Sequence, residues 1–184
     1  MAAALFDWLK RILLGRPRTP PGLSPFADGS GPAKLLIMRH AEKTGDRRDP
    51  SLSQAGQQRA EKLVSYIPKQ FGTPDFLFAA TSSKRSRRPY ETLEPLSNAL
   101  TLKIDERFDD DEYDALVEYL AKPRYAGKFG VISWRHSDLP AICAALGAPD
   151  GTFPADWPQD LYTLVIEITF RNGAAAARQI SEPF

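Results

Sequence analysis

From residue 33 onward the chain alternates between two hydrophobic rhythms. Short continuous apolar runs occur at 33–38 (AKLLIM), 75–80 (DFLFAA), 102–104 (LKI) and 128–133 (KFGVIS). Their length and β-branched or aromatic content predict buried strands. Between them, apolar residues recur every three or four positions. Ser53 is placed to cap a helix that carries Ala60, Leu63, Val64 and Ile67 on one face. A second helix is predicted over 88–100, with Pro89 in its first turn, where a missing N–H costs little. Pro95 is expected to bend or split that helix. Further helices are predicted over 111–121 and 137–147, the latter closed by Gly147. The runs LYTLVIEITF and AAAARQI flank Arg171-Asn172-Gly173, and an Asn-Gly pair in that position signals a β-hairpin. Strands alternating with helices, then a hairpin, predict an α/β fold: a three-layer α/β/α sandwich with a mixed, mostly parallel sheet and a C-terminal β-hairpin.

The first 32 residues follow neither rhythm. Leu5, Trp8, Leu9, Ile12 and Leu13 form a helical stripe opposite Asp7, Lys10 and Arg11. Residues 1–14 therefore predict an amphipathic helix, too short to span a bilayer. It can pack on the domain or on a second copy, or lie at a membrane surface as a peripheral contact. The stretch 15–33 holds five of the sixteen prolines and four glycines. It reads as a linker over 15–32 ahead of a catalytic domain at 33–184, and removal of 1–32 is expected to leave that domain folded.

Composition narrows the chemistry. A formal charge of +1 over 184 residues gives no global case for nucleic acid, so any electrostatic function must be local. The single cysteine, Cys143, sits in an apolar run, which predicts a buried structural thiol and a cytoplasmic setting, with membrane association left to the N-terminal helix. No metal-binding motif is visible, and neither a metal nor another cofactor is expected. The chain has only two histidines, and each follows an arginine at the end of a predicted strand: Arg39-His40 and Arg135-His136. In open α/β sheets the functional crevice lies beyond the carboxyl ends of the strands. The loop Thr81-Ser82-Ser83-Lys84-Arg85-Ser86-Arg87-Arg88 follows a third strand end and adds cations and hydroxyls. Guanidinium groups there suit phosphate or carboxylate. A neutral imidazole among cations is a nucleophile that can attack phosphorus, with a carboxylic acid protonating the leaving alcohol.

These residues resemble the histidine phosphatase superfamily, which has the phosphoglycerate-mutase-like fold. MRHAEK (38–43) resembles its Arg-His-Gly signature, with Ala41 in place of Gly. SLSQAGQQRAEKL (51–63), SKRSRRPYETLEPLSNAL (83–100) and WRHSDLPAICAALG (134–147) resemble its following segments, in the same order. The resemblance implies that His40 is the phosphorylated nucleophile, that Arg39 is a phosphate ligand and that His136 is the second pocket histidine. A further pocket arginine lies four residues before a helical threonine, which through Thr92 selects Arg88. Counting from the strand end gives Arg85 instead, an auxiliary contact. Glu42, Lys43 and Ser86 are candidate substrate contacts. The run Asp109, Asp110, Asp111, Glu112 offers the general acid, with Asp111 and Glu112 as the candidates. The activity implied is metal-independent hydrolysis of phosphate monoesters, on a phosphorylated small molecule or a phosphoprotein. The alternatives are a mutase of the same fold, and an inactive phosphate-binding scaffold tethered by the N-terminal helix.

Overall fold

The computed structural model describes residues 19–184 apart from positions 28 and 47. The predicted helix at 1–14 and the first part of the predicted linker lie outside the described residues. Six strands form one sheet in the order β3-β2-β4-β1-β5-β6. They are β1 (Lys34–Arg39), β2 (Phe76–Ala79), β3 (Ile104–Asp105), β4 (Phe129–Trp134), β5 (Leu164–Arg171) and β6 (Ala174–Ser181). The pairs β3-β2, β2-β4 and β4-β1 are parallel, and β1-β5 and β5-β6 are antiparallel. The sheet is thus mixed and mostly parallel. The hairpin closes on Asn172 and Gly173, whose φ values of 50° and 73° match the right-handed strand twist.

Strand alternation sends side chains to two faces. On one, Leu36, Met38, Leu77 and Val131 pack with Leu63 and Ile67 of α1 (Gln54–Phe71) and Leu93 and Leu96 of α2 (Arg88–Leu100). On the other, Leu35, Ile37, Phe78 and Ile132 pack with Leu116 of α3 (Tyr113–Leu120) and Ile142 of α4 (Leu139–Ala145). The three layers are as expected. Ser53 caps α1 by accepting from the Gly56 N–H at 3.1 Å. Cys143 is fully buried, and burial pushes its thiol well up, as fits a structural role.

Two expectations are corrected. Of the bend or split expected at Pro95, the split does not occur, and α2 runs unbroken over 13 residues. Leu93 and Leu96 on either side of it are fully buried against the same sheet face, and this anchorage outweighs the lost helical bond. The second half of the predicted linker is also not a tether. Phe26 is buried edge-on against Phe170, their centroids 5.0 Å apart. Gly22 donates to the Gly147 carbonyl and accepts from Ala175, and Ser24 donates to Gly173. Leu23 forms a β-bridge to Ala174. Prolines and glycines here shape turns that dock the segment on the hairpin end. Composition does not separate that use from flexibility. Phe26→Ala is expected to lower the unfolding free energy by about 3 kcal/mol in urea titration, and removal of 19–32 to destabilise the domain rather than leave it intact.

Candidate functional site

The site begins with a register. β1 and β4 pair in parallel to their last residues, with Arg39 opposite Trp134. The His40 N–H donates to the Trp134 carbonyl at 3.0 Å. Arg39-His40 and Arg135-His136 therefore leave adjacent strands side by side. β2 flanks β4, with Ala79 opposite Ser133, and delivers the 81–88 loop to the same edge.

His40 is 3% exposed. Its Nδ1 lies 2.7 Å from the Ala41 carbonyl, which can only accept, so Nδ1 carries the proton and Nε2 keeps its lone pair. Burial pushes the ring down to about 3, and the charges of Arg39, Arg88 and His136 add to the effect, against the Ala41 bond. His136 is half-buried and is also lowered, first by burial and then by Arg39 and Lys43. Fields from all the other members of the predicted set thus converge on one neutral imidazole.

Backbone carbonyls hold the arginines. Arg39 is fully buried, and its Nη1 donates to Gln159 at 2.6 Å and Pro158 at 3.3 Å. Its guanidinium carbon stands 3.7 Å from the centroid of the Tyr162 ring. Arg88 donates through Nη2 to Asp49 at 2.7 Å and through Nε to Ser51 at 3.3 Å. The 49–52 segment is itself held by Glu91, whose carboxylate accepts from the Ser51 hydroxyl and the Leu52 N–H. Burial lowers both arginines from their ordinary value, though not enough to discharge a guanidinium.

Thr92 explains the four-residue spacing. Its hydroxyl donates to the Arg88 carbonyl at 2.7 Å and accepts from the Ala41 N–H at 2.8 Å. One buried hydroxyl thereby ties the loop after His40 to the first turn of α2. Gly56 serves the same loop from below: a Cβ there would stand 2.3 Å from the Glu42 carbonyl oxygen. The Glu42 carbonyl in turn accepts from the Ser53 N–H.

The other predicted residues divide. Arg85 is exposed and leaves the pocket to Arg88. Lys43 is exposed, yet its charge reaches His136. Ser86 is buried, and its Oγ has no hydrogen-bond partner. Nor do Glu42 Oε2, Arg39 Nε and Ser133 Oγ, and all four atoms belong to strand ends or loops at this edge.

Asp111 and Glu112 are both exposed, and Glu112 accepts from the Asp109 N–H at 2.9 Å. Asp110 is instead the carboxylate tied to the crevice, 2.7 Å from Arg135 Nε. Partial burial pushes it up to about 6; Arg135 pulls it down, while Asp138, Asp109 and Asp111 push it up. Its carbonyl accepts from Trp134 Nε1 at 2.8 Å, which fixes the turn. The sequence located the acidic run, but only the fold distinguishes its members. Tyr162 was missed altogether. Its ring lies over Arg39, 6.2 Å from the His40 ring centroid, and its position just before a strand carries no sequence signal. Among the described residues no three His, Cys, Asp or Glu side chains gather as a metal ion would require.

Neither a protein-family model nor a curated protein matches this sequence. Solved structures do match the fold. The protein histidine phosphatase SixA complexed with tungstate aligns with a TM-score of 0.58 at 15% identity, covering 80% of this chain and 96% of that one. A phosphoserine phosphatase mutant from Entamoeba histolytica in complex with phosphoserine gives 0.54 at 15%, covering 78% and 94%. A mycobacterial glucosyl-3-phosphoglycerate phosphatase with inorganic phosphate gives 0.51 at 16%, covering 83% and 96%. The chain shares the fold of these phosphatases, the phosphoglycerate-mutase-like α/β/α sandwich.

A buried neutral histidine makes stability depend on pH. The unfolded ring takes a proton near 6.5, while the native ring does not until about 3. Stability contributed by this site is therefore present above the upper value and is lost as pH falls between the two, by up to about 1.4 kcal/mol per pH unit. NMR of the His40 ring is expected to show no titration between pH 8 and 5. Urea unfolding of His40→Gln is expected to lose part of the acid-side slope, and a ring titrating near 6.5 would contradict this geometry.

Proposed function

We propose that the protein is a phosphatase that hydrolyses phosphate monoesters through a phosphohistidine on His40. The carrying observation is the His40 environment: a buried ring with Nδ1 protonated and Nε2 free, acted on by Arg39, Arg88 and His136. Held this way, Nε2 attacks phosphorus as the bond to the leaving oxygen breaks. The guanidiniums and His136 surround the equatorial oxygens, where charge spreads in the transition state. The unpartnered Nε of Arg39 is a ready donor to one of them. A protonated Asp110 gives its proton to the departing alcohol, which then leaves neutral. The ionised carboxylate next draws a proton from water, whose oxygen attacks phosphorus and returns His40 to its starting form.

Likeness to structures described as phosphatases supports this reading at the level of fold. So does an acid raised toward neutrality beside a neutral nucleophile, since two groups pushed apart in this way suit acid and nucleophile roles. A mutase would return the phosphoryl group to the substrate instead of water. The half-buried positions of Arg88 and His136 favour water access and hence hydrolysis.

With p-nitrophenyl phosphate and a chelator present, the protein is expected to release phosphate and to carry acid-labile protein phosphate during turnover. His40→Ala is expected to lose turnover by on the order of 10³ or more. Label without release would identify a mutase or stalled enzyme, and neither signal would leave a binding scaffold. With an alkyl phosphate, whose leaving group needs a proton, Asp110→Asn is expected to lose about 10²-fold, and far less with p-nitrophenyl phosphate. Because the acid works protonated, the wild-type rate on the alkyl ester should fall above about pH 6, and that limb should vanish in Asp110→Asn.

A further inference from the structure

α1 carries a charge where its helical stripe calls for an apolar side chain. Its buried face includes Gly56, Arg59, Ala60, Leu63 and Ile67, and Arg59 is 3% exposed. A well-packed hydrophobic residue stabilises such a position as well as a buried ion pair does, or better. Packing alone therefore gives no reason for the guanidinium, and its three nitrogens supply one. Nε and Nη2 donate to the two carboxylate oxygens of Glu182, at 2.6 and 2.8 Å, which fixes the plane of the fork. Nη1 is thereby aimed at the carbonyl of Arg39, 3.5 Å away.

That carbonyl belongs to the peptide joining Arg39 to His40. The other end of the same peptide, the His40 N–H, donates to the Trp134 carbonyl at 3.0 Å. One peptide unit is thus held from β4 through its N–H and faced from α1 through its oxygen, and the His40 side chain hangs from it. Glu182 acts on Arg39 by a second route. Its own N–H donates to the Thr163 carbonyl at 2.8 Å, and Thr163 follows Tyr162, whose ring covers the Arg39 guanidinium. The segment after β6 is fastened to α1 as well, with the Phe184 ring edge-on to Tyr66 at 5.3 Å between centroids. The charge of Glu42, in the loop after His40, bears on both Glu182 and Arg39.

We propose that Arg59 and Glu182 form a positioning pair, which fixes the Arg39–His40 peptide and with it the aim of the His40 ring and the Arg39 guanidinium. The proposal rests on the phosphatase reading, and neither residue of the pair touches substrate. A planar fork holds two carboxylate oxygens and reaches a third acceptor at once, which the point charge of a lysine does not. An ion pair serving stability alone has no use for that third nitrogen.

The test uses the full chain. Arg59→Met/Glu182→Leu replaces both charges by apolar side chains, a change that buried pairs often tolerate without loss of stability. Its thermal midpoint is expected to stay at or above the wild-type value, while kcat on p-nitrophenyl phosphate falls about tenfold. Inhibition by orthovanadate should weaken by a similar factor and inhibition by inorganic phosphate by much less, because misplacement is felt most in the five-coordinate state that vanadate mimics. Amide exchange at His40 is expected to quicken, with Leu36 and Ile132 unchanged. A folded double variant with wild-type kcat and vanadate affinity would overturn the proposal, and so would unchanged exchange at His40. Should the double variant not fold, Arg59→Lys decides: it keeps a charge opposite Glu182, and is expected to lose at least about threefold in kcat with faster His40 exchange. Wild-type values of both in Arg59→Lys would overturn the proposal equally. Absence of ester hydrolysis in the wild type would sink the phosphatase reading instead, and exchange at His40 would still decide whether the pair fixes this peptide.

Discussion

Everything at the crevice follows from the parallel pairing of β1 and β4 to their final residues. Arg39 opposite Trp134 sets two Arg-His pairs beside each other, although nearly a hundred positions separate them in the chain. A one-residue slip would turn every side chain of β1 to the opposite face. Burial resists that slip, since Leu35, Leu36, Ile37 and Met38 are fully enclosed between two helical layers. The site is therefore as rigid as the core that fixes its register.

Around that register the fold concentrates positive charge and keeps it from collapsing. Backbone carbonyls of 158–161 and 49–51 hold Arg39 and Arg88, and Tyr162 covers Arg39 with its ring. Carbonyls and a ring face stabilise guanidiniums without neutralising them, which leaves their field available to a ligand. A carboxylate in the same places would cancel it. Among the described residues, the buried ion pair of Arg59 with Glu182 at 2.6 Å joins α1 to the segment after β6 and leaves Arg39 and Arg88 without a carboxylate partner. His40 in that field stays neutral, and the same burial that costs stability in acid keeps its lone pair free.

Much of this was legible in the chain. The order of elements, the Ser53 cap, the Asn172-Gly173 turn and both histidines at strand ends follow from periodicity and local backbone preference. Those signals are short-range and are written in neighbouring residues. The spacing from Arg88 to Thr92 is likewise a local ruler, one helix turn closed by the Thr92 hydroxyl on the Arg88 carbonyl. What failed needed distant partners. Residues 19–32 read as a tether because composition cannot show that Phe26 meets Phe170. A split at Pro95 stayed open in the sequence because the contacts that hold α2 together are made with the distant sheet. Asp110 and its two acidic neighbours are alike in sequence, and only contact with Arg135 and partial burial set one apart. Tyr162 carries no motif at all. The sequence by itself determined which elements form and which residue types can do phosphoryl chemistry. Tertiary structure alone decided which side chains share a field, because desolvation and charge act through space and not along the chain.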